Sequence, residues 1–314
     1  MKRSALVLLI LCNLVWTFNP VMGKVLLRVY GGLQVAWIRY FGAFLSYAFV
    51  VAGILVLNRK KTWREYFLIP KDRRTWLELL AVSIGPFVFS PILQFIGLET
   101  AQAMDNSILI ATEPLMTVLL AWVVLGERMT RSHWISLIFA VFGFFLFSGL
   151  VGSGSGEGIV LSAGMFLLLV ALLGESAFSV FSRSLVLHHA PTAVIGSALS
   201  IGAVVLSCVI FFFSEFPALG AGGWPQLGAA LWLGPMGSTL TYLIWALIAR
   251  KVTVASMAIT LFVQPLVGAA VGVILLGEGL TLSRGLGAGL ILIGIAVLLY
   301  WEFKQDLKKN ACGV

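Results

Sequence analysis

The sequence predicts an all-α integral membrane protein, ten transmembrane helices built as two inverted five-helix repeats. Three observations carry that prediction. First, 60% of the 314 residues are hydrophobic, 11% are charged and the mean hydropathy is +1.03. A single soluble core cannot hide that much apolar surface, so lipid must serve as solvent. Second, residues 112–147 and 263–298 align without a gap at a constant offset of 151 residues. Pro114 pairs with Pro265, Leu125-Gly126-Glu127 with Leu276-Gly277-Glu278, Thr130 with Thr281, Ser132 with Ser283 and Gly143 with Gly294. A fixed offset near half the chain length marks a duplication. Third, the basic residues cluster in alternate loops, as a fixed orientation in a membrane requires.

Apolar stretches long enough to cross a ~30 Å hydrocarbon layer lie at 4–27, 33–57, 76–97, 102–125 and 132–150, and again at 160–187, 192–213, 227–249, 253–276 and 282–302. Five crossings per copy is an odd number, so the second copy enters from the opposite side and the repeats are inverted. The expected organisation is a first repeat at 1–150, a short external linker at 151–158 containing GSGSGEG, a second repeat at 159–302 and a cytoplasmic tail at 303–314. The MKR start followed by an apolar run resembles a signal peptide, but no small-residue cleavage site follows, so it reads as a retained first helix.

Placing both termini in the cytoplasm puts 17 of the 21 Lys and Arg residues inside; only Lys24, Arg28, Arg39 and Arg284 fall toward the outer side. The net charge of +8 then reports topology, not nucleic-acid binding. The expected location is the plasma membrane, a bacterial inner membrane. The three cysteines, Cys12, Cys208 and Cys312, lack metal or disulfide spacing and read as small apolar residues. No metal or cofactor is expected, and the sequence carries no signal that separates monomer from homodimer.

Candidate chemistry follows from helix interruptions and mid-depth polar groups. Gly85-Pro86 in the third span answers Gly234-Pro235 in the eighth, and Pro114 in the fourth answers Pro265 in the ninth. Proline removes a helix hydrogen bond, and matched interruptions in inverted repeats point to a central solute site; the alternative is four packing kinks. Counting to mid-span places Trp16, Glu113, Glu175 and Gln264 near the bilayer centre. A charged intramembrane carboxylate without a partner costs several kcal/mol, so Glu175 and Glu113 should face the bundle interior, paired or protonated. Glu175 is either a proton- or cation-handling group or a neutral acid bonded to backbone; Glu113 is answered by Gln264 and either joins the site or satisfies carbonyls freed by Pro114. Asn19, Ser90, Gln94, Ser179, Tyr242 and Trp245 complete the expected solute-binding set, an aromatic wall with a few hydrogen-bonding groups. Arg39 and Asp105 are candidates for an outer gate pair, with Arg39 snorkelling to headgroups as the alternative. Gly268-x-x-x-Gly272 is expected to let helices pack closely.

The paired P-L segments, the L-G-E helix ends and the glycine-bearing helices after them resemble the EamA repeat of the drug/metabolite transporter superfamily. TFNPVMGKVLLRVYGGLQVAWIRYFGAF resembles its first two helices and FIGLETAQAMDNSILIATEPL its third-to-fourth helix junction. The resemblance implies a helical bundle with a central cavity that moves small metabolites, often amino acids, out of bacterial cells by alternating access. Asp105-Asn106 and Glu175 depart from the usual pattern. The expected partners are a small-molecule substrate, the lipid bilayer and protons. A multidrug exporter of lipophilic cations is the alternative transport reading. A membrane-embedded enzyme using Glu113 and Glu175 is a third, against which no H-E-x-x-H, paired aspartate or nucleotide-loop motif is found.

Overall fold

The structure, a computed structural model, describes residues 3–126, 129, 131–147, 156–218, 220–250, 260–261, 263–279 and 281–311. Among these it is all-helical, with no strand. Helices α1 (Arg3–Thr17) and α2 (Asn19–Leu27) form the first rod. They part at Phe18, whose N–H turns back to Val15 O at 3.2 Å. Pro20 lies in the first turn of α2, and the residue before a proline resists helical geometry. The single helix expected over 4–27 is therefore two.

Helix α3 spans Gly32–Leu57, and its first N–H, that of Gly32, donates to Glu99 Oε1 at 2.6 Å. Asp72 caps α4 (Arg73–Ile84), accepting the Thr75 N–H at 2.9 Å and its hydroxyl at 2.7 Å; those two bonds hold the carboxyl below the usual range. Pro86 cannot donate to the preceding turn, and the helix widens there into a π turn, Gly85–Phe89, before resuming as α5 (Ser90–Thr100). The eighth span repeats this device: α11 (Trp224–Leu231), a π turn at Trp232–Leu240 enclosing Pro235, and α12 (Thr241–Ala249). The glycine-proline pairs thus stretch their helices without ending them.

The expected fourth span is α6 (Ala103–Leu109), a tightened 3-10 turn at Ile110–Thr112 and α7 (Glu113–Leu125), with Pro114 in the first turn of α7. There its missing N–H costs little. Helix α8 is Arg131–Phe147 and α9 is Gly156–His188, so the last three residues of the expected linker are already helical. The described residues further include α10 (Pro191–Phe213), α13 (Val263–Leu276) and α14 (Leu282–Ala311), α14 running on through most of the expected tail. Glu127, Ser155 and residues 253–259 of the ninth expected span lie outside the described residues.

Among the described residues, six helical rods are long and apolar enough to cross a membrane: Val7–Leu27, Gly32–Leu57, Arg73–Thr100, Ala163–His188, Pro191–Phe213 and Trp224–Ala249. His133–Phe147, Val263–Leu276 and Leu282–Val297 are shorter apolar helices. The outer faces expose large apolar groups such as Phe49 and Leu57, at 82% and 89%, which suits lipid and not water.

Among the described residues two glycines have positive φ, Gly126 (69°) and Gly277 (65°). Both sit in the repeated L-G-E, which explains the motif: the glycine supplies the left-handed residue that ends the helix. After Gly277 the chain folds back, and the Glu278 carboxylate accepts the Ala103 and Met104 N–H groups at 2.7 and 2.8 Å. The second copy thereby caps α6 of the first. Helix α13 lies close on α6 because a Cβ at Gly268 or Gly272 would strike Ser107 or Glu278. Helix α9 likewise meets the first π turn through Gly85 against Gly174, and α5 through Gly97 against Gly164.

Candidate functional site

Where α1, α3, α5, α9 and α12 converge with the α6–α7 and α13 segments, they enclose a cavity of about 60 Å³. Its lining includes every residue expected to bind the solute: Trp16, Asn19, Ser90, Gln94, Glu113, Glu175, Ser179, Tyr242, Trp245 and Gln264. Arg39 and Asn106, from α3 and α6, line it as well.

The π turns set the polar geometry. Ser90, directly after the first, donates its hydroxyl to Glu175 Oε1 at 2.9 Å, and Tyr242, just after the second, donates to Oε2 at 2.8 Å. Glu175 is therefore held by side-chain hydroxyls from two other helices, and among the described residues no backbone group, the partner in one of its two alternative readings, bonds its carboxyl. Ser238, inside the second π turn, donates to Leu233 O at 2.9 Å and accepts from Arg39 Nε at 3.0 Å. Arg39 Nη1 donates to Gln94 Oε1 at 3.0 Å, and Gln94 Nε2 donates to Asn106 Oδ1 at 3.1 Å.

Arg39 is only 4% exposed, so it does not snorkel to headgroups, and among the described residues it forms no ion pair with Asp105, the expected gate partner. The long side chain instead reaches inward beneath the rings of Tyr40 and Phe95. Asp105 stays at the N-terminus of α6, where Oδ2 accepts the Gln102 N–H at 2.7 Å and Oδ1 lies 3.8 Å from Arg284 Nη1. Among the described residues no carboxylate lies within ion-pair distance of Arg39.

The opposite wall is aromatic. Trp16 packs on Tyr242 and Trp245 with ring centroids 5.5 and 5.2 Å apart, and Tyr242 meets Phe178 at 5.0 Å and Phe87 at 4.9 Å. Trp16 Nε1 donates to Thr241 Oγ1 at 2.8 Å and Gly237 O at 3.0 Å, which fixes the indole plane. Gln264 Nε2 donates to Asn13 Oδ1 at 2.8 Å, tying the ninth expected span to the first. Among the described residues no hydrogen bond reaches the Glu113 carboxylate; Thr117 donates its hydroxyl to the Glu113 backbone carbonyl at 3.0 Å. The Ile110 carbonyl, which Pro114 cannot serve, accepts the Glu113 N–H instead, and the Glu113 side chain lines the cavity.

The EamA-like transporter family matches residues 3–149 and 162–300. The chain belongs to that family. An uncharacterized transporter of Archaeoglobus fulgidus is 26% identical to this EamA-like chain over 250 residues, 79% of this chain and 83% of its own. The uncharacterized transporter YwfM of Bacillus subtilis is 26% identical over 270 residues, 86% and 88% of the two chains. A Salmonella typhimurium protein named a probable amino-acid metabolite efflux pump is 26% identical over 231 residues, 70% and 74%. A solved crystal structure at 16% identity superposes on 95% of this chain and 96% of its own with a TM-score of 0.62, a likeness of fold. The EamA-like chain is a multi-pass membrane protein of a transporter family. Sequence reading missed Asn106 as a lining residue and placed Arg39 at the rim. The spacing Gln94, Asp105, Asn106 beside a lone intramembrane arginine was the available signal.

Proposed function

We propose that this chain is a secondary transporter that exports a small metabolite, an amino acid or a related compound, across a bacterial inner membrane by alternating access. The observation that carries the reading is the convergence of interrupted helices from both halves on one polar and aromatic cavity in which the Glu175 carboxylate and the Arg39 guanidinium face the same space. Two opposite charges and an aromatic wall suit a small zwitterion with an apolar side chain. A lipophilic cation, the solute of a multidrug exporter, would meet the buried Arg39 charge unfavourably.

The ten spans are two inverted repeats with both termini cytoplasmic. The helix contacts support this by recurring in matched pairs: α5 on α9 answers α12 on α1, the second π turn on α3 answers the first on α10, and α7 on α9 answers α13 on α1. Contacts that the symmetry maps onto themselves, α8 on α14 and α3 on α10, are also present. Glu175 is the coupling residue, alternating between a proton and the solute as the cavity is exposed to either side. The testing experiment is a resistance screen: cells overproducing the protein should tolerate particular toxic amino-acid analogues and gain no tolerance to tetraphenylphosphonium. Tolerance to lipophilic cations alone would reverse the choice of solute class.

A further inference from the structure

We infer that Arg39 and Asn106 together form a carboxylate anchor that selects solutes bearing that group. This rests on the reading of the central cavity as the solute site. The polarity of the Ser238–Arg39–Gln94–Asn106 chain follows from its first charged member. A guanidinium only donates, so Gln94 must turn its oxygen to Arg39 and its NH2 to Asn106. Asn106 must then offer its oxygen to Gln94, and its own NH2 is left over. That Nδ2 is buried without a partner, in a side chain 3% exposed on the cavity wall.

An unmatched buried donor is destabilising, and an unmatched buried guanidinium charge is more so. Arg39 spends Nε and Nη1 on neutral acceptors, Ser238 and Gln94, and among the described residues it has no acid in ion-pair contact. The site thus holds a fixed positive charge with no acid in contact and a spare NH2 without an acceptor on the same cavity wall, which is the complement of a carboxylate. Glu175 faces the same cavity with both oxygens engaged by hydroxyls, so it does not supply that acceptor by contact. Asn19 Oδ1, also buried without a partner on the lining, adds an acceptor for a donor elsewhere on the solute.

The test uses the purified full chain in detergent and reads its melting midpoint with a panel of probes: L-phenylalanine, L-leucine, L-methionine and L-threonine, the methyl ester of each, and the amine each would leave without its carboxylate. At least one free amino acid should stabilise the protein, while its ester and amine bind at least about tenfold more weakly, the expected loss for a charge-assisted contact. Arg39→Gln should remove the shift and Asn106→Ala should weaken it by about tenfold. Ser179→Trp, which fills the cavity, should abolish all binding. The acid–ester comparison uses the unaltered chain, so misfolding of a variant does not shield the inference. An ester or amine that binds as well as its acid, a shift that survives Arg39→Gln, or no stabilisation by any free amino acid overturns the anchor. A shift that survives Ser179→Trp overturns the cavity reading instead.

Discussion

Replacing Glu278 with alanine removes the one carboxylate that joins the end of α13 to the start of α6. Two N–H groups, Ala103 and Met104, lose acceptors at 2.7 and 2.8 Å. Bonds to an ionised group contribute roughly 1.5–3 kcal/mol each. The contact is part-buried, so the lower end applies and the pair is worth about 3 kcal/mol. A chain of this length shifts its midpoint by about 1.5 °C per kcal/mol, so the variant should melt about 5 °C below the parent. Circular dichroism or dye fluorescence on the detergent-solubilised protein provides the assay. Glu278→Gln keeps an oxygen without the charge and should lose about half as much. Gly277→Ala, which forces a Cβ into the left-handed region at φ 65°, should cost about 1 kcal/mol. If Glu278→Ala melts within about 1 °C of the parent, the cap does not hold the two copies together and the L-G-E motif needs another explanation.

Alanine at Trp16, Gln94, Tyr242 and Trp245 together should lower transport of the identified solute at least about tenfold without loss of membrane insertion, because the aromatic wall and the Arg39 tether go at once; unchanged uptake would move the site. Glu175→Gln should still exchange solute across proteoliposomes but lose accumulation driven by a pH gradient, and an unaltered pH profile would leave facilitated diffusion as the mechanism. With Cys12, Cys208 and Cys312 replaced by serine, a cysteine at Ser214 should react with an impermeant maleimide from outside and one at Lys61 only after lysis. Equal labelling of both from outside refutes the cytoplasmic placement of the termini.

Depth along a helix is legible in a sequence, but azimuth is not. Counting residues gathers Trp16, Glu113, Glu175 and Gln264 at one level, and their side chains do surround one cavity. The same counting put Arg39 at the rim, because height says nothing of where a long side chain swings. Only the packing of α3 against the second π turn turns the guanidinium inward to Ser238. The break at Phe18 had a signal in Asn19-Pro20 that the unbroken apolar run concealed. The Gly-Pro pairs announced an irregularity but not its kind, since a proline is compatible with a break, a kink or a widened turn, and the neighbours decide. Asn106 was hidden by being read as a departure from a pattern, whereas its meaning lies in Gln94, twelve positions earlier in the chain and 3.1 Å away in space.

The π turn at Trp232–Leu240 also fixes the rotational phase of everything after it. An α-helix advances 100° and 1.5 Å per residue, and a π turn accommodates one residue more than α geometry allows. Were that turn to tighten, Tyr242 and Trp245 would rotate by about 100° relative to α11 and shift by about 1.5 Å along the axis. Tyr242 would leave Glu175, and both rings would leave Trp16. The aromatic wall and the carboxylate's second hydroxyl are thus set by a single surplus residue. Deleting one residue from 232–240 would let the turn close to α geometry with the wall still in phase, whereas tightening it at full length would dial the wall off the cavity.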